Sequence, residues 1–332
     1  MAGCVSYEEE EEVYTSSVAD TIGTVIRLDD RIDTLVPADA VIEKLAEGFE
    51  WSEGPVWVPD EGGYLLFSDI PVNTIYRWDE KGGLSPYLRP AGYAGSDPSG
   101  AELGTNGLML DAEGRLVMCD HGNRQVARLN TTNFTRETIA SAYEGKRLNS
   151  PNDLAFHSSG DLYFTDPPYG LSGLNDSPDK ELPFNGVYRV DTSGEVSLLT
   201  EELGFPNGIA FSPDEKTLYV ANSGGANPVI RAYDVQDDGT LANSRVFFDG
   251  SALIADGAVG AFDGMALDTE GNLFATGPGG VLVLTPEGEH LGTISTGERI
   301  ANCTFGDDGS TLYLTSDMLL ARIRLDARGL GF

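Results

Sequence analysis

The sequence of 332 residues predicts an all-β fold, a six-bladed β-propeller with a central metal site. The first observation behind this prediction is a short motif that recurs six times, each copy opening with a carboxylate or amide side chain and continuing into an apolar strand. Successive copies are separated by roughly 40 to 55 residues, about the length of one four-stranded blade. The second observation is that a turn and further strands follow the motif.

The polar residue of each motif occupies the same place in its repeat. These six residues are Glu53, Asn106, Asn152, Asn207, Asp263 and Asn302. Because equivalent positions of a radial repeat face one axis, we expect these oxygen-bearing side chains to converge there. Carboxylate and amide oxygens are the ligands that hard cations prefer. The repeat therefore predicts a cation site at the centre of the ring.

The rest of each repeat has the pattern of a β-meander. An acid- and glycine-rich turn leads into a second strand, as in residues 111–118 and 157–164, because these residue types favour tight turns. A third strand with alternating apolar residues follows in several repeats, a pattern typical of a half-buried strand. These third strands cover residues 74–78, 125–129, 186–190 and 229–233.

The N-terminal part of the chain carries separate predictions. Residues 1–20, which include an acidic run, are predicted to form a flexible tether, and residues 21–332 to form the propeller. We expect a short helix around residues 38–47. Residues 25–35 are expected to add a strand to blade six by pairing with residues 319–325, which would close the ring and remove exposed sheet edges.

The three cysteines bear on location and redox state. Cys119 and Cys303 fall in predicted strands, so we expect free, buried thiols and no disulfide framework. The opening Met-Ala-Gly-Cys resembles the end of a bacterial lipoprotein signal, which would make Cys4 a lipidation site; the alternative is an accidental cysteine in a disordered terminus. The first hypothesis predicts a periplasmic, secreted or lipid-anchored bacterial protein, and the second a cytoplasmic one.

Charge and motif content exclude several classes of function. The chain has 53 acidic and 21 basic residues, a formal net charge of −32, which disfavours nucleic acid and anionic membranes as partners. We find no apolar stretch long enough to span a membrane. Neither a phosphate-binding glycine loop nor a Gly-x-Ser-x-Gly nucleophile motif is present. The acidic surface is typical of a highly soluble protein and is compatible with attraction of a divalent cation.

Five motifs in order resemble the gluconolactonase, senescence marker protein (regucalcin) and luciferin-regenerating enzyme family over about residues 42–325. They are Glu-Gly-Phe-Glu-Trp-Ser-Glu-Gly-Pro-Val-Trp (47–57), Ser-Pro-Asn-Asp-Leu (150–154), Phe-Thr-Asp-Pro-Pro-Tyr-Gly (164–170), Phe-Pro-Asn-Gly-Ile-Ala-Phe-Ser-Pro-Asp (205–214) and Phe-Asp-Gly-Met-Ala-Leu-Asp (262–268). Cys-Asp-His-Gly-Asn-Arg (119–124) and the long segment 85–106 look most like the bacterial gluconolactonases. The resemblance implies a six-bladed propeller with a divalent metal in its tunnel.

The resemblance also implies a ligand set. Glu53, Asn207 and Asp263 match the metal-binding positions of the family, and Asn152 matches a position that binds either the metal or the substrate. Two carboxylates and two amides suit a hard dication, so we expect Ca²⁺, with Mg²⁺, Mn²⁺, Fe²⁺ and Zn²⁺ as alternatives. The absence of a His/Cys cluster in the sequence argues against a structural zinc site.

Candidate catalytic residues follow from the same motifs. Asp263 is the predicted general base, and His121 is the second candidate, with a purely structural histidine as the alternative. Asn106, Asn152 and Tyr169 are predicted substrate contacts. Two further polar residues are interpreted as structural, Asp166 as the brace of its turn and Asn302 as a buried amide that ties blade six to its neighbour.

The predicted activity is metal-dependent hydrolysis of a sugar lactone to the aldonic acid, with a small-molecule sugar lactone as partner. The metal would polarise the lactone carbonyl and acidify a water. Two alternatives stay open. One is a metal-dependent hydrolase of other lactones, aryl esters or organophosphates, as in the similar paraoxonases. The other is a non-catalytic calcium-binding propeller.

Overall fold

The computed structural model describes residues 20–95 and 102–332, and in these residues six antiparallel sheets are arranged around one axis. The inner strand of each sheet contacts the inner strands of the two neighbouring sheets, and that of the sixth contacts that of the first, so the ring is closed. The prediction of an all-β, six-bladed propeller is confirmed. Each blade uses one copy of the repeated motif for its inner strand.

The strands of blades one to three run from the axis outward in chain order. Blade one contains Ser52–Val58, Tyr64–Asp69, Thr74–Asp79 and Gly83–Leu88. Blade two contains Thr105–Leu110, Leu116–Asp120, Gln125–Asn130 and Thr135–Ala140. Blade three contains Leu154–Phe156, Leu162–Asp166, Gly186–Val190 and Val196–Thr200. A hairpin of Ala142–Tyr143 and Lys146–Arg147 lies between blades two and three along the chain.

Blades four to six follow the same plan, and the last two receive strands from the N-terminal part of the chain. Blade four contains Pro206–Phe211, Thr217–Asn222, Val229–Val235 and Leu241–Asp249. Blade five contains Met265–Leu267, Leu273–Gly277, Gly280–Leu284, His290–Ser295 and Thr24–Arg27. Blade six contains Asn302–Gly306, Thr311–Ser316, Leu319–Arg324, Ile42–Glu47 and Asp20–Ile22.

Helix is a minor component of the described residues. The one α-helix there is Ser251–Ala255, and short 3-10 helices cover Asp30–Thr34, Asp60–Gly62 and Leu174–Asp176. No helix in residues 20–95 or 102–332 combines the length and hydropathy needed to cross a membrane.

The expected helix at residues 38–47 is wrong, because Ile42–Glu47 is the fourth strand of blade six and pairs with Leu319–Arg324 on one side and Asp20–Ile22 on the other. Ile42 and Leu45 are three residues apart, as on one face of a helix. In the structure Ala46 pairs with Leu320 and Lys44 with Ala321, so Leu45 is the extra residue of a β-bulge. A bulge shifts the alternation by one residue, and the sequence pattern then looks helical.

The expected closing strand in residues 25–35 is also wrong, although the chain ends do meet in blade six. Thr24–Arg27 pairs with His290–Ser295 as a fifth strand of blade five. The strand stops there because the Asp29 carboxylate accepts a hydrogen bond from the backbone N–H of Arg31, at 2.9 Å, and caps the 3-10 helix that follows. Closure of the ring is left to Ile42–Glu47. Of the predicted tether, residues 1–19 lie outside the described residues and Asp20 begins a strand.

Apolar side chains between neighbouring blades form the core. Cys119 lies in the cluster between blades two and three, and Cys303 in the cluster between blades five and six. Both thiols are free and buried, as predicted. Blades six and one also share stacked rings of Trp57 and Tyr313, with centroids 5.6 Å apart. This packing between blades holds the inner strands in a fixed ring.

Candidate active site

Four of the six repeated polar residues are the first or second residue of an inner strand. The other two, Asn152 and Asp263, lie two residues before their strands. Five of the six are buried, with exposures between 2% for Glu53 and 7% for Asn302, and Asp263 is partly buried. Small residues after two of the ligands let the blades approach closely at this point. A Cβ on Gly54 would lie 2.1 Å from the carbonyl oxygen of Asn106, and one on Gly208 would lie 2.1 Å from that of Asp263.

The carboxylates of Glu53 and Asp263 share one enclosed environment. Burial raises the pKa of both groups well above the usual range, and the charge of Glu53 raises that of Asp263 further. One carboxylate oxygen of Asp263, Oδ1, is shielded from solvent and has no hydrogen-bond partner within the described residues. Burial of an unpaired carboxylate beside a second one costs folding free energy unless a cation neutralises the charge.

Amide side chains border these carboxylates. The Asn207 amide lowers the pKa of Asp263, and its Oδ1 atom is buried and unpartnered in the described part of the chain. Asn302 lowers the pKa of Glu53, and its side-chain oxygen accepts a hydrogen bond from the Cys303 backbone N–H at 2.8 Å. This matches its interpretation as a structural amide. For Asn152, the backbone N–H donates to Thr165 and the carbonyl accepts from Gly107, so both neighbours fix its position.

Asp153 is a third central carboxylate that the sequence analysis did not single out. Burial raises its pKa to about 7, and its carboxylate accepts a hydrogen bond from the Leu154 backbone N–H at 2.9 Å. Its charge also raises the pKa values of Glu53 and Asp263, so it faces the same enclosure. The signal was available in the motif Pro-Asn-Asp, where an acidic residue directly follows a predicted ligand.

The second-strand loops of blades two and three bring further polar groups to the same end of the ring. His121 follows the strand Leu116–Asp120 and is 1% exposed, with Nδ1 at 2.6 Å from the Glu102 carboxylate. Tyr169 hydrogen-bonds to Ser223 at 2.5 Å, and burial raises its pKa to about 12. The charges of Asp263 and Glu102 also raise the pKa of Tyr169.

Asp166 lies where the sequence analysis expected a brace. Its carboxylate accepts hydrogen bonds from the backbone N–H groups of Asn149 and Ser150, each at 2.8 Å. These bonds hold the turn that leads to Asn152. Burial raises the pKa of Asp166 to about 7. Asp166 therefore positions a predicted ligand and does not belong to the central group of side chains.

The donor set fits a hard cation. No cluster of three or more His, Cys, Asp or Glu side chains arranged to hold a metal occurs in residues 20–95 and 102–332. The predicted ligands are instead two carboxylates and two amides, a set of different composition. The unpartnered Oδ1 atoms of Asp263 and Asn207 are both oxygen donors, as Ca²⁺ and Mg²⁺ require. These two oxygens, with the Glu53 carboxylate, could hold one divalent cation.

A separate cavity of about 400 Å³ opens at the far ends of the inner strands. Its lining is largely apolar and includes the C-terminal residues Leu330 and Phe332, together with Asp153 and Asn302. None of the predicted metal, catalytic or substrate-contact residues lines it. The predicted ligands thus lie outside the lining of this cavity, whereas Asp153 and Asn302 border both the cavity and the enclosed carboxylates.

Comparison with known proteins gives independent evidence on the family. A sequence profile described as the SMP-30/Gluconolactonase/LRE-like region matches residues 51–318. A gluconolactonase of Zymomonas mobilis is 41% identical over 315 residues, which cover 93% of this chain and 88% of that protein.

A more distant relative and a solved structure extend the comparison. A diisopropyl-fluorophosphatase of Loligo vulgaris is 25% identical over 293 residues, covering 83% of this chain and 89% of that protein. The solved structure of a gluconolactonase from Xanthomonas campestris superposes with a TM-score of 0.80 at 31% identity, covering 94% of this chain and 99% of that one.

Proposed function

The chain belongs to the SMP-30/Gluconolactonase/LRE-like family and is a lactonase that hydrolyses sugar lactones, and we propose that its reaction depends on one divalent cation held at the propeller axis. The proposed ligands are Glu53, Asn152, Asn207 and Asp263, and Ca²⁺ is the cation we favour. The observation that carries the proposal is the pair of enclosed carboxylates of Glu53 and Asp263, in which the Oδ1 atom of Asp263 is unpartnered, beside the unpartnered amide oxygen of Asn207. When bound, the cation would polarise the lactone carbonyl and lower the pKa of a water.

The chain's own residues would carry the proton and orient the substrate. Asp263 is the proposed general base that takes a proton from the attacking water. The water oxygen bonds to the carbonyl carbon, the ring C–O bond breaks, and Asp263 returns the proton to the ring oxygen, which leaves as a hydroxyl. The amides of Asn106 and Asn152 are proposed to donate hydrogen bonds to the carbonyl oxygen as negative charge develops there. Tyr169 is proposed to line the substrate pocket.

His121 was the second candidate for the base. Its Nε2 atom is closed off from solvent and has no hydrogen-bond partner in the described residues, while Nδ1 is engaged by Glu102. An enclosed nitrogen is badly placed for direct proton transfer with a substrate. We therefore retain Asp263 as the proposed base.

Proton release from glucono-δ-lactone and xylonolactone tests the proposal. The protein is stripped of metal, and Ca²⁺, Mg²⁺, Mn²⁺, Fe²⁺ or Zn²⁺ is added back singly. We expect acceleration with at least one cation above the spontaneous rate, and its loss in Glu53→Gln. Glu270→Gln, an exposed carboxylate at the opposite end of blade five, serves as the matched control and should behave as wild type.

Thermal stability provides a second measurement of cation binding, one that does not depend on turnover. The activating cation should raise the Tm of the wild type and of Glu270→Gln but not that of Glu53→Gln, because binding to the folded state alone stabilises it. Hydrolysis that needs no cation would refute metal dependence. Absence of hydrolysis with every cation, despite a rise in Tm, would move the substrate search to aryl esters and organophosphates.

We also propose that the protein is periplasmic, secreted or lipid-anchored, because the motif Met-Ala-Gly-Cys resembles the end of a lipoprotein signal. The motif lies outside the described residues. Fractionation of the native host and labelling with a radioactive fatty acid test this. Incorporation of label that is lost in Cys4→Ser supports lipidation, and unlabelled protein confined to the cytoplasm refutes it.

A further inference from the structure

A hydrogen-bonded pair at the mouth of the ring, Glu102 and His121, is not explained by the mechanism above. Glu102 is four residues upstream of Asn106, on the segment that enters the inner strand Thr105–Leu110. His121 follows the second strand of the same blade. Two backbone hydrogen bonds fix this segment: His121 donates to Gly104 at 3.1 Å and Tyr93 to Leu103 at 2.8 Å. The pair is therefore held by the blade itself.

The two members of the pair differ in exposure. The His121 side chain is 0% exposed, and its Nε2 atom is shielded from solvent, whereas the Glu102 side chain is 29% exposed. Because a carboxylate only accepts hydrogen bonds, Nδ1 of His121 must donate across the 2.6 Å contact. Within the described residues, His121 is the one hydrogen-bond partner of this carboxylate. Glu102 is thus the accessible group, and His121 is its buried support.

The Glu102 carboxylate lies at the axial end of blade two, because its segment runs into the inner strand Thr105–Leu110 and its partner His121 follows the second strand at the same end. Its negative charge acts on three groups of the proposed site, raising the pKa values of Glu53, Asp263 and Tyr169. These three side chains belong to blades one, five and three, so the charge of Glu102 reaches groups on blades other than its own. A carboxylate here meets whatever enters the mouth.

We propose that Glu102 is a substrate-binding residue that accepts hydrogen bonds from the ring hydroxyls of the lactone, and that His121 is the positioning residue that holds its carboxylate over the tunnel. The proposal rests on the proposed function and adds its substrate class, neutral polyhydroxylated lactones. Hydroxyls are donors that satisfy a carboxylate, and bonds to charged groups are stronger than neutral ones. A lactone without hydroxyls would displace water from the carboxylate and leave it with the His121 hydrogen bond alone, so the site disfavours such a lactone.

The test compares two substrates and four variants under the activating cation. Glucono-δ-lactone carries ring hydroxyls, and δ-valerolactone is the same ring without them. We expect Glu102→Ala to lower the ratio of kcat/KM for glucono-δ-lactone to that for δ-valerolactone by about tenfold to a hundredfold, mainly through KM, as loss of a hydrogen bond to a charged group predicts. Glu270→Ala is the control for removal of an exposed carboxylate.

His121 variants separate positioning from packing. His121→Asn keeps an N–H donor close to the place of Nδ1, whereas His121→Phe keeps the ring and removes the donor. We expect the substrate ratio to be retained in His121→Asn and lowered in His121→Phe in the same direction as in Glu102→Ala. Equal ratios in the two His121 variants would overturn the positioning role, and Glu102→Ala still tests the carboxylate if His121→Phe does not fold.

A binding measurement keeps this inference distinguishable from the proposed function. Calorimetric titration with 1,5-anhydro-D-glucitol, which has the ring hydroxyls and no carbonyl, should show binding to the wild type and at least tenfold weaker binding to Glu102→Ala. If neither lactone is hydrolysed but this difference remains, the catalytic proposal fails and the assignment of Glu102 stands. An unchanged ratio of kcat/KM between the two lactones in Glu102→Ala would overturn the assignment, whether both rates stay the same or both fall equally.

Discussion

Glu53 and Asp263 are the residues whose environment is hardest to explain without a bound cation. Burial makes the charged form of each unfavourable, and the remaining oxygen donors around them, on Asn207 and Asn152, cannot supply positive charge. Two carboxylates balance one dication, which removes both the desolvation penalty and the mutual repulsion. Negative charge beyond this balance would come from Asp153 within the enclosure and from Glu102 at the mouth, where an anionic aldonate product would be repelled.

Substitution of Asp263 by Asn tests the assignment of the general base. The amide keeps an oxygen donor but cannot accept the proton, so we expect kcat to fall by about a hundredfold to ten thousandfold with the cation at saturation. Steady-state rates on glucono-δ-lactone measure this, and bound cation is quantified in the same preparation. Full activity of a cation-loaded Asp263→Asn protein would show that the base is another group.

Asp166 gives a pH dependence that is separate from the cation site. Its folded pKa of about 7 is above the usual value of 3.8, so between these values the folded state holds a proton that the unfolded state has lost. The free energy of unfolding should therefore fall as pH rises from about 4 to about 7, by at most about 1.4 kcal/mol per pH unit for one proton. Urea unfolding of the metal-free protein over this range should show a shallower fall in Asp166→Asn than in the wild type. Parallel curves would contradict the shifted pKa.

At the scale of the strands, the contacts between inner strands set the geometry of the site. Each inner strand begins at the axis with a polar residue, and the next residue often has to be small because the neighbouring blade's backbone lies against it. Gly54 faces the Asn106 carbonyl and Gly208 faces the Asp263 carbonyl. The glycines that look like simple turn residues in the sequence therefore hold the ligands of adjacent blades in register.

Gly208→Ala tests this close approach. The added methyl would lie 2.1 Å from the carbonyl oxygen of Asp263, so the inner strands of blades four and five must move apart. We expect a loss of about 1–3 kcal/mol in the free energy of unfolding, as for other overpacked sites, together with weaker cation binding. Urea unfolding and calorimetric cation titration measure the two effects. Gly204→Ala is the matched control, since nothing lies within 4 Å of its Cβ position, and equal behaviour of the two variants would contradict the argument.

At the scale of the whole molecule, net charge and ring closure have opposite effects on the stability of the folded state. The formal net charge of −32 disfavours a compact state through self-repulsion. Closure opposes this, because Ile42–Glu47 pairs with Leu319–Arg324 and joins segments from the two ends of the chain in one sheet. The arrangement also covers an edge of blade six that would otherwise be free to pair with another chain.

Salt should stabilise such a molecule through screening. Raising KCl from about 0.05 M to about 0.5 M shortens the Debye length to a few ångströms, so repulsion between separated surface carboxylates weakens. We expect a higher Tm by differential scanning calorimetry in the presence of EDTA, which keeps the divalent site out of the comparison. Sucrose at matched osmolality controls for solute effects other than screening. A Tm that falls with KCl would show that surface ion pairs outweigh the net repulsion.

The sequence by itself determined the number of blades, the six axial residues and the family, because turns, alternation and motif spacing are local properties that each repeat carries. Only the tertiary structure decided which strand closes the ring, since a bulge at Leu45 makes a true strand look helical. It also decided that Asp153 shares the enclosure of Glu53 and that Glu102 reaches His121. These relations join side chains that are distant along the chain, and their electrostatic and packing energies exist only once the blades are arranged around one axis.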